Sequence, residues 1–209
     1  DWLNKNQKIT LNGDWLLQID TQETGTCDVE YLQTKKTITV EKGFIKSDLC
    51  ATPDTSFNLG KCIEDGLLNK PIELNIKCNF DGKISSSYKE GEVYYLNGDV
   101  INSGEGIIKI NNGNFDTYED TLIINWVLKE VNSDLDFSIY LRKNYKNDVK
   151  TNAYLYLITQ RSAYSNELVS LQKIDGSFNN VLDTALAVSA LNDNNHQTQV
   201  DLSRKWLDS

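Results

Sequence analysis

The 209 residues include 39% hydrophobic and 24% charged side chains, enough for one large core or two smaller ones. No segment approaches the roughly 18 apolar residues that would cross a membrane. A net charge of −9 argues against nucleic-acid or anionic-membrane partners, whose affinity comes from clustered Lys and Arg, and Lys35-Lys36 and Arg142-Lys143 are too short to be such patches.

From the start, the pattern is short and alternating. Trp15–Ile19, Cys27–Tyr31, Thr37–Val40, Ile72–Ile76, Glu92–Leu96 and Gly106–Ile110 have strand length and β-branched or aromatic content. Between them lie the turn-rich pieces Glu41-Lys42-Gly43, Phe80-Asp81-Gly82-Lys83 and Leu96-Asn97-Gly98-Asp99, and Leu59–Leu68 is expected to hold one helical turn. Many short strands at near-regular spacing predict an antiparallel sandwich or open barrel.

All four cysteines, Cys27, Cys50, Cys62 and Cys78, fall in this β-rich part. An even number in one segment is the pattern of structural disulfides; free buried thiols are the alternative. Zinc would want a short Cys-x-x-Cys knuckle, which is absent, and His196 stands alone. Four cysteines allow three pairings, and sequential pairing, Cys27–Cys50 and Cys62–Cys78, is the expectation. The chain contains no methionine, so Asp1 is expected to be either a fragment boundary or a mature N-terminus left by signal-peptide removal.

Beyond Asn111-Asn112-Gly113-Asn114 the period becomes helical. Asp120–Val131 carries Leu122, Ile123, Trp126, Val127 and Glu130 at helix spacings. Ser133 is expected to cap a helix over Leu135–Tyr145, and Val149–Thr159, Ser162–Gln172, Asp183–Leu191 and Thr198–Leu207 complete about six helices. Asp120 and Asp183 are read as caps, where a carboxylate meets backbone N–H groups and the positive end of the helix dipole.

The sequence also repeats itself. Gly113-Asn114-Phe115 precedes Asp120-Thr121 as Gly176-Ser177-Phe178 precedes Asp183-Thr184, and the same alignment pairs Leu128 with Leu191 and Asn132 with Asn195. A partial echo, Trp2-Leu3, Gln7 and Gly13-Asp14-Trp15, mimics Leu168, Gln172 and Gly176-Ser177-Phe178. The ending Lys205–Ser209 reads like the opening Asp1–Lys5 beginning again. Repeats that cannot bury their apolar faces alone must stack on neighbours.

Leu168, Val169, Leu171, Gln172 and Gly176-Ser177-Phe178, followed by Asp183–Leu191 and Arg204–Leu207, resemble the helical-hairpin repeat of the terpene-cyclase and protein-prenyltransferase α/α-toroids. The resemblance covers about residues 113–209 and the opening 1–15, and it implies hairpins stapled by Gly and an aromatic plug. It carries no activity here. The Asp-x-Asp-Asp cluster of the cyclases, the Asp/Cys/His zinc ligands of the prenyltransferases and the Cys…Glu-Gln of related thioester proteins are all missing, and about three hairpins cannot close a toroid.

Other chemistry is thin. No nucleophile elbow, phosphate-binding Gly-rich loop or His-Glu-x-x-His occurs. Glu64-Asp65, Glu90/Glu92 and Glu119-Asp120 read as exposed or capping charges, and Asn111–Asp116 lacks the bidentate Glu of a calcium loop. No metal or cofactor is expected.

These readings predict an α+β chain: an N-terminal segment, 1–8, packing with the helical part; a disulfide-stapled antiparallel β-sandwich-like domain, 9–112; and a partial toroid-like helical-hairpin domain, 113–209. The expected role is structural and non-enzymatic, in a secreted or cell-surface subunit or tandem module polymerising head to tail. Trp2, Leu3, Trp15, Trp206 and Leu207 are the expected interface anchors, because buried aromatics dominate association energetics. The tyrosines of 92–96 and 154–156 have the spacing of a sugar-stacking platform, but such spacing more often marks half-buried faces. The alternatives are an adhesin or glycan-binding module with the β domain displayed and the helices as stalk, and a degenerate toroid enzyme with a pocket among Trp126, Tyr140, Tyr154 and Tyr156.

Overall fold

The computed structural model describes residues 6–7, 14–31, 34–48, 72–110, 113–193 and 195–209. The chain divides into two compact units: one runs to Asp116 and includes Asp134–Tyr140, and the other comprises Thr117–Ser133 and Leu141–Ser209.

The first unit is antiparallel and two-layered. Its strands are β1 (Asp14–Thr21), β2 (Gly25–Tyr31), β3 (Thr34–Val40), β4 (Gly43–Asp48), β5 (Ile72–Cys78), β6 (Gly82–Glu90), β7 (Val93–Ile101) and β8 (Glu105–Ile110). They form one sheet in the order β4-β1-β6-β7 and another in the order β3-β2-β5-β8. Alternate side chains point inward, as the two-residue strand period requires. Trp15, Leu17, Ile19, Ile84 and Tyr88 of one sheet share a core with Cys27, Val29, Leu74, Ile76, Ile108 and Ile110 of the other. This is the sandwich that the alternation predicts.

Two details correct the sequence reading. The Asn-Gly-Asp piece expected to be a turn lies inside β7, where the partner of Ser85 is Val100 but that of Ser87 is Leu96. Turn chemistry here builds a bulge that inserts extra residues without ending the strand. The Asn97 side-chain amide donates to Ser86 Oγ and to the Lys109 carbonyl, tying the bulge to β6 and β8. The sequential disulfide expectation also fails for the two cysteines described: Cys27 is bonded to Cys78, its direct cross-strand partner between β2 and β5. Sheet register, invisible in spacing, decides that pair. Cys50, Cys62 and the helical turn expected over Leu59–Leu68 lie outside the described residues, as does most of the segment 1–8.

Beyond Asn112 the helices are α1 (Tyr118–Glu130), α2 (Ser138–Lys143), α3 (Val149–Thr159), α4 (Ser162–Ser170), α5 (Val181–Leu191) and α6 (Gln197–Leu207). Ser133 does not open α2. Its N–H bonds to the Leu128 carbonyl at 2.9 Å while Asn132, at φ 53°, bonds to Lys129, so the pair closes α1. The shorter α2 begins where the Asp136 carboxylate accepts the Ser138 N–H at 2.8 Å.

Asp120 and Asp183 stand three residues inside their helices, and the caps are Thr117 and Asn180. Thr117 Oγ1 accepts the Asp120 N–H at 3.0 Å, and Asn180 Oδ1 accepts the Asp183 N–H at 2.9 Å. The carboxylates still face the helix starts, held by the Thr117 hydroxyl and by the Asn179 and Asn180 amides. Asp148 caps α3 in the same way, accepting the Thr151 N–H at 2.7 Å. One residue further on, Thr121, Asn152 and Thr184 are all buried and donate back to the cap carbonyls of Thr117, Asp148 and Asn180. Three copies therefore recur at cap spacings of 31 and 32 residues. The two copies legible in the sequence are the first and third.

Within the helical unit α1, α3 and α5 are successive neighbours, α4 pairs with α3, and α6 pairs with α5. Central α3 is buried almost all round, through Val149, Thr151, Asn152, Ala153, Leu155, Tyr156 and Ile158. The connection before α5 is stapled to α6: Gln172 Nε2 donates to the Gln199 carbonyl and to Ser203 Oγ, both at 2.8 Å. Ser203 Oγ in turn donates to the Gly176 carbonyl at 2.6 Å.

Candidate assembly surface

Helix α1 is apolar on two opposite faces. Thr121, Leu122, Asn125 and Leu128 are buried, whereas Ile123, Val127 and Val131 form an exposed ridge at i, i+4 and i+8. Val131 is 66% exposed. The sequence pattern had merged these two stripes, because Leu122/Trp126 and Ile123/Val127 are each four apart and read as one broad apolar face.

At the other end of the row, α5 carries a single charge, that of Asp183, which is buried at its cap. Its accessible positions are Val181, Leu182 (79% exposed), Ala185 and Ser189. On the adjoining α6, Leu202 is exposed while Trp206 and Leu207 are half-buried, and Ile174, in the connection stapled to α6, is fully exposed. End units of helical stacks normally show a polar outer face, since an apolar one invites association. Among the described residues the α5 end lacks one, and at the α1 end the apolar ridge runs beside exposed Glu119, Asp120 and Glu130.

The anchors expected from sequence separate. Trp15 is 1% exposed and packs against Tyr88 in the sandwich core, with ring centroids 5.4 Å apart, so it is a core residue and no interface anchor. Its strand alternation with Leu17 and Ile19 already carried that signal. Trp206 and Leu207 lie on the last turn of α6, at one end of the row, and Trp2 and Leu3 lie outside the described residues. Ile174, Val181 and Leu182 were missed because a turn and a helix start rarely advertise a surface.

Trp126 packs on Tyr154 at 5.6 Å between α1 and α3, Tyr140 packs against the sandwich core, and Tyr156 belongs to the helical core. On β7, Tyr94 is exposed under the Lys89 ammonium, whereas Tyr95 turns inward to Tyr88.

One polar cluster links α3 to the α5–α6 connection. The Tyr156 hydroxyl donates to Asp193 Oδ2, and Asp193 Oδ1 meets His196 Nδ1 at 2.8 Å and the Asn195 N–H at 2.9 Å. Burial raises the Asp193 pKa and is its largest single influence. The hydrogen bonds from Tyr156, His196 and Asn195 together outweigh it and hold the carboxyl below its ordinary value. The bond to Asp193, assisted by burial, pushes the Tyr156 phenol up. Every member is engaged in closing the loop, which is the work of a structural clasp. Among the described residues no group of three or more His, Cys, Asp or Glu could hold a metal ion, and no helix is long and apolar enough to cross a membrane.

Comparison with known proteins finds no matching family model, no matching curated protein and no matching solved structure.

Proposed function

We propose that the chain is a structural, non-enzymatic, extracellular building block that assembles head to tail into a surface filament or layer. The observation that carries this reading is the unfinished state of the helical row, with an exposed ridge of Ile123, Val127 and Val131 at one end and Val181, Leu182, Leu202 and Ile174 at the other. Contacts between two different faces of one chain do not close unless the rotation returns to its start, so they propagate. The Cys27–Cys78 bond supports an oxidising, extracellular setting. In this proposal the hairpins α3–α4 and α5–α6, together with α1, are a fragment of toroid-like geometry reused as architecture.

Negative-stain electron microscopy and light scattering over a concentration series test it. Regular filaments or sheets, with average mass rising continuously with concentration, are the expected result. Dispersed monomers at every concentration would sink the proposal.

A further inference from the structure

We infer that the joint between copies is α1 of one chain seated on the outer face of α5 of the next, flanked by α6. This inference rests on the assembly proposal and names its partner surfaces. The template is internal: α1 packs on α3 and α3 packs on α5, each helix being launched by the same cap device at Thr117, Asp148 and Asn180. Helix α5 is the last in that row, and α1 is the first. A second copy's α1 is therefore the helix whose cap chemistry continues the series.

The two faces are complementary in shape and charge. Ile123, Val127 and Val131 form an i±4 ridge, and Ala185 and Ser189 on the exposed side of α5 are small enough to leave a groove for it. No charge on that side of α5 would be desolvated, since Asp183 is already buried at its cap. The first turn of α1 brings Asp120 and Glu119, the latter already paired with Lys150, whereas the last turn of α6 brings basic Arg204 and Lys205.

Two blocked chains test the joint: Val127→Glu on the α1 ridge and Ala185→Glu on the α5 face. Both positions are exposed, and circular dichroism confirms that each variant keeps its helix content; Val131→Lys and Ser189→Lys serve as a second pair should either lose it. Light scattering coupled to gel filtration should show each variant alone at monomer mass, at a concentration where the unsubstituted chain assembles. An equimolar mixture should give a dimer and nothing larger, because each partner supplies the face the other lacks. A mixture that stays monomeric, or a variant that alone still assembles like the unsubstituted chain, overturns this joint while leaving assembly itself standing. An unsubstituted chain that never assembles overturns both.

Discussion

At Gly176 the backbone adopts φ +88°, and a β-carbon there would lie 2.5 Å from the carbonyl carbon and oxygen of Leu202. Both facts require glycine, one through conformational freedom and the other through close approach to α6. Gly176→Ala should therefore destabilise the helical unit by about 2 kcal/mol or more, read as a lower urea midpoint of the helical signal. A change within a few tenths of a kcal/mol would show that the turn relaxes freely. Asp193 makes a pH prediction. Its folded pKa is depressed, so its contribution is complete above the ordinary aspartate value, about 3.9, and is lost as pH falls through the lower folded value. Asp193→Asn should lower thermal stability near neutral pH and flatten the loss below about pH 4. An acid limb identical in both proteins would remove Asp193 from the explanation.

Among the elements, strands with alternating branched residues were legible and polar ones were not. Central β6, Gly-Lys-Ile-Ser-Ser-Ser-Tyr-Lys-Glu, is held between β1 and β7 although serine favours turns; Ile84, Ser86 and Tyr88 are buried on its inner face. Edge strand β4 escaped notice too. The middle helical repeat was hidden because Asn144 and Lys146 occupy the places of Gly113 and Phe115, so only its cap and the buried Asn152 betray it. The Cys27–Cys78 bond joins neighbouring strands across a sequence separation of 51, and a loop of that size restricts the unfolded chain by about 4 kcal/mol. Replacing both cysteines by Ala should lower the sandwich's unfolding free energy by roughly that amount in denaturant titrations. A loss under about 1 kcal/mol would mean that β2–β5 pairing alone holds this edge of the core.

At the largest scale, the decisive feature among the described residues is that a row of three capped helices leaves large apolar side chains exposed at both ends. A closed ring of hairpins would bury both end faces internally, whereas an open row leaves one of each kind on every copy. The filament and blocked-chain experiments belong to this scale, since no single residue or helix reveals whether growth terminates. Stability of repeat arrays is a sum of repeat and neighbour terms, so in the proposed assembly each added copy would contribute another interface of the same kind.

Local periodicity and turn chemistry in the sequence were enough to establish an α+β chain with strands first, helices after, and a repeated helix start. Those features depend on near neighbours, and the residue order contains them. The tertiary structure alone decided that Cys27 meets Cys78 and that Leu122 is buried while its neighbour Ile123 is exposed. These outcomes depend on register and packing between segments far apart in the chain, which no local pattern specifies.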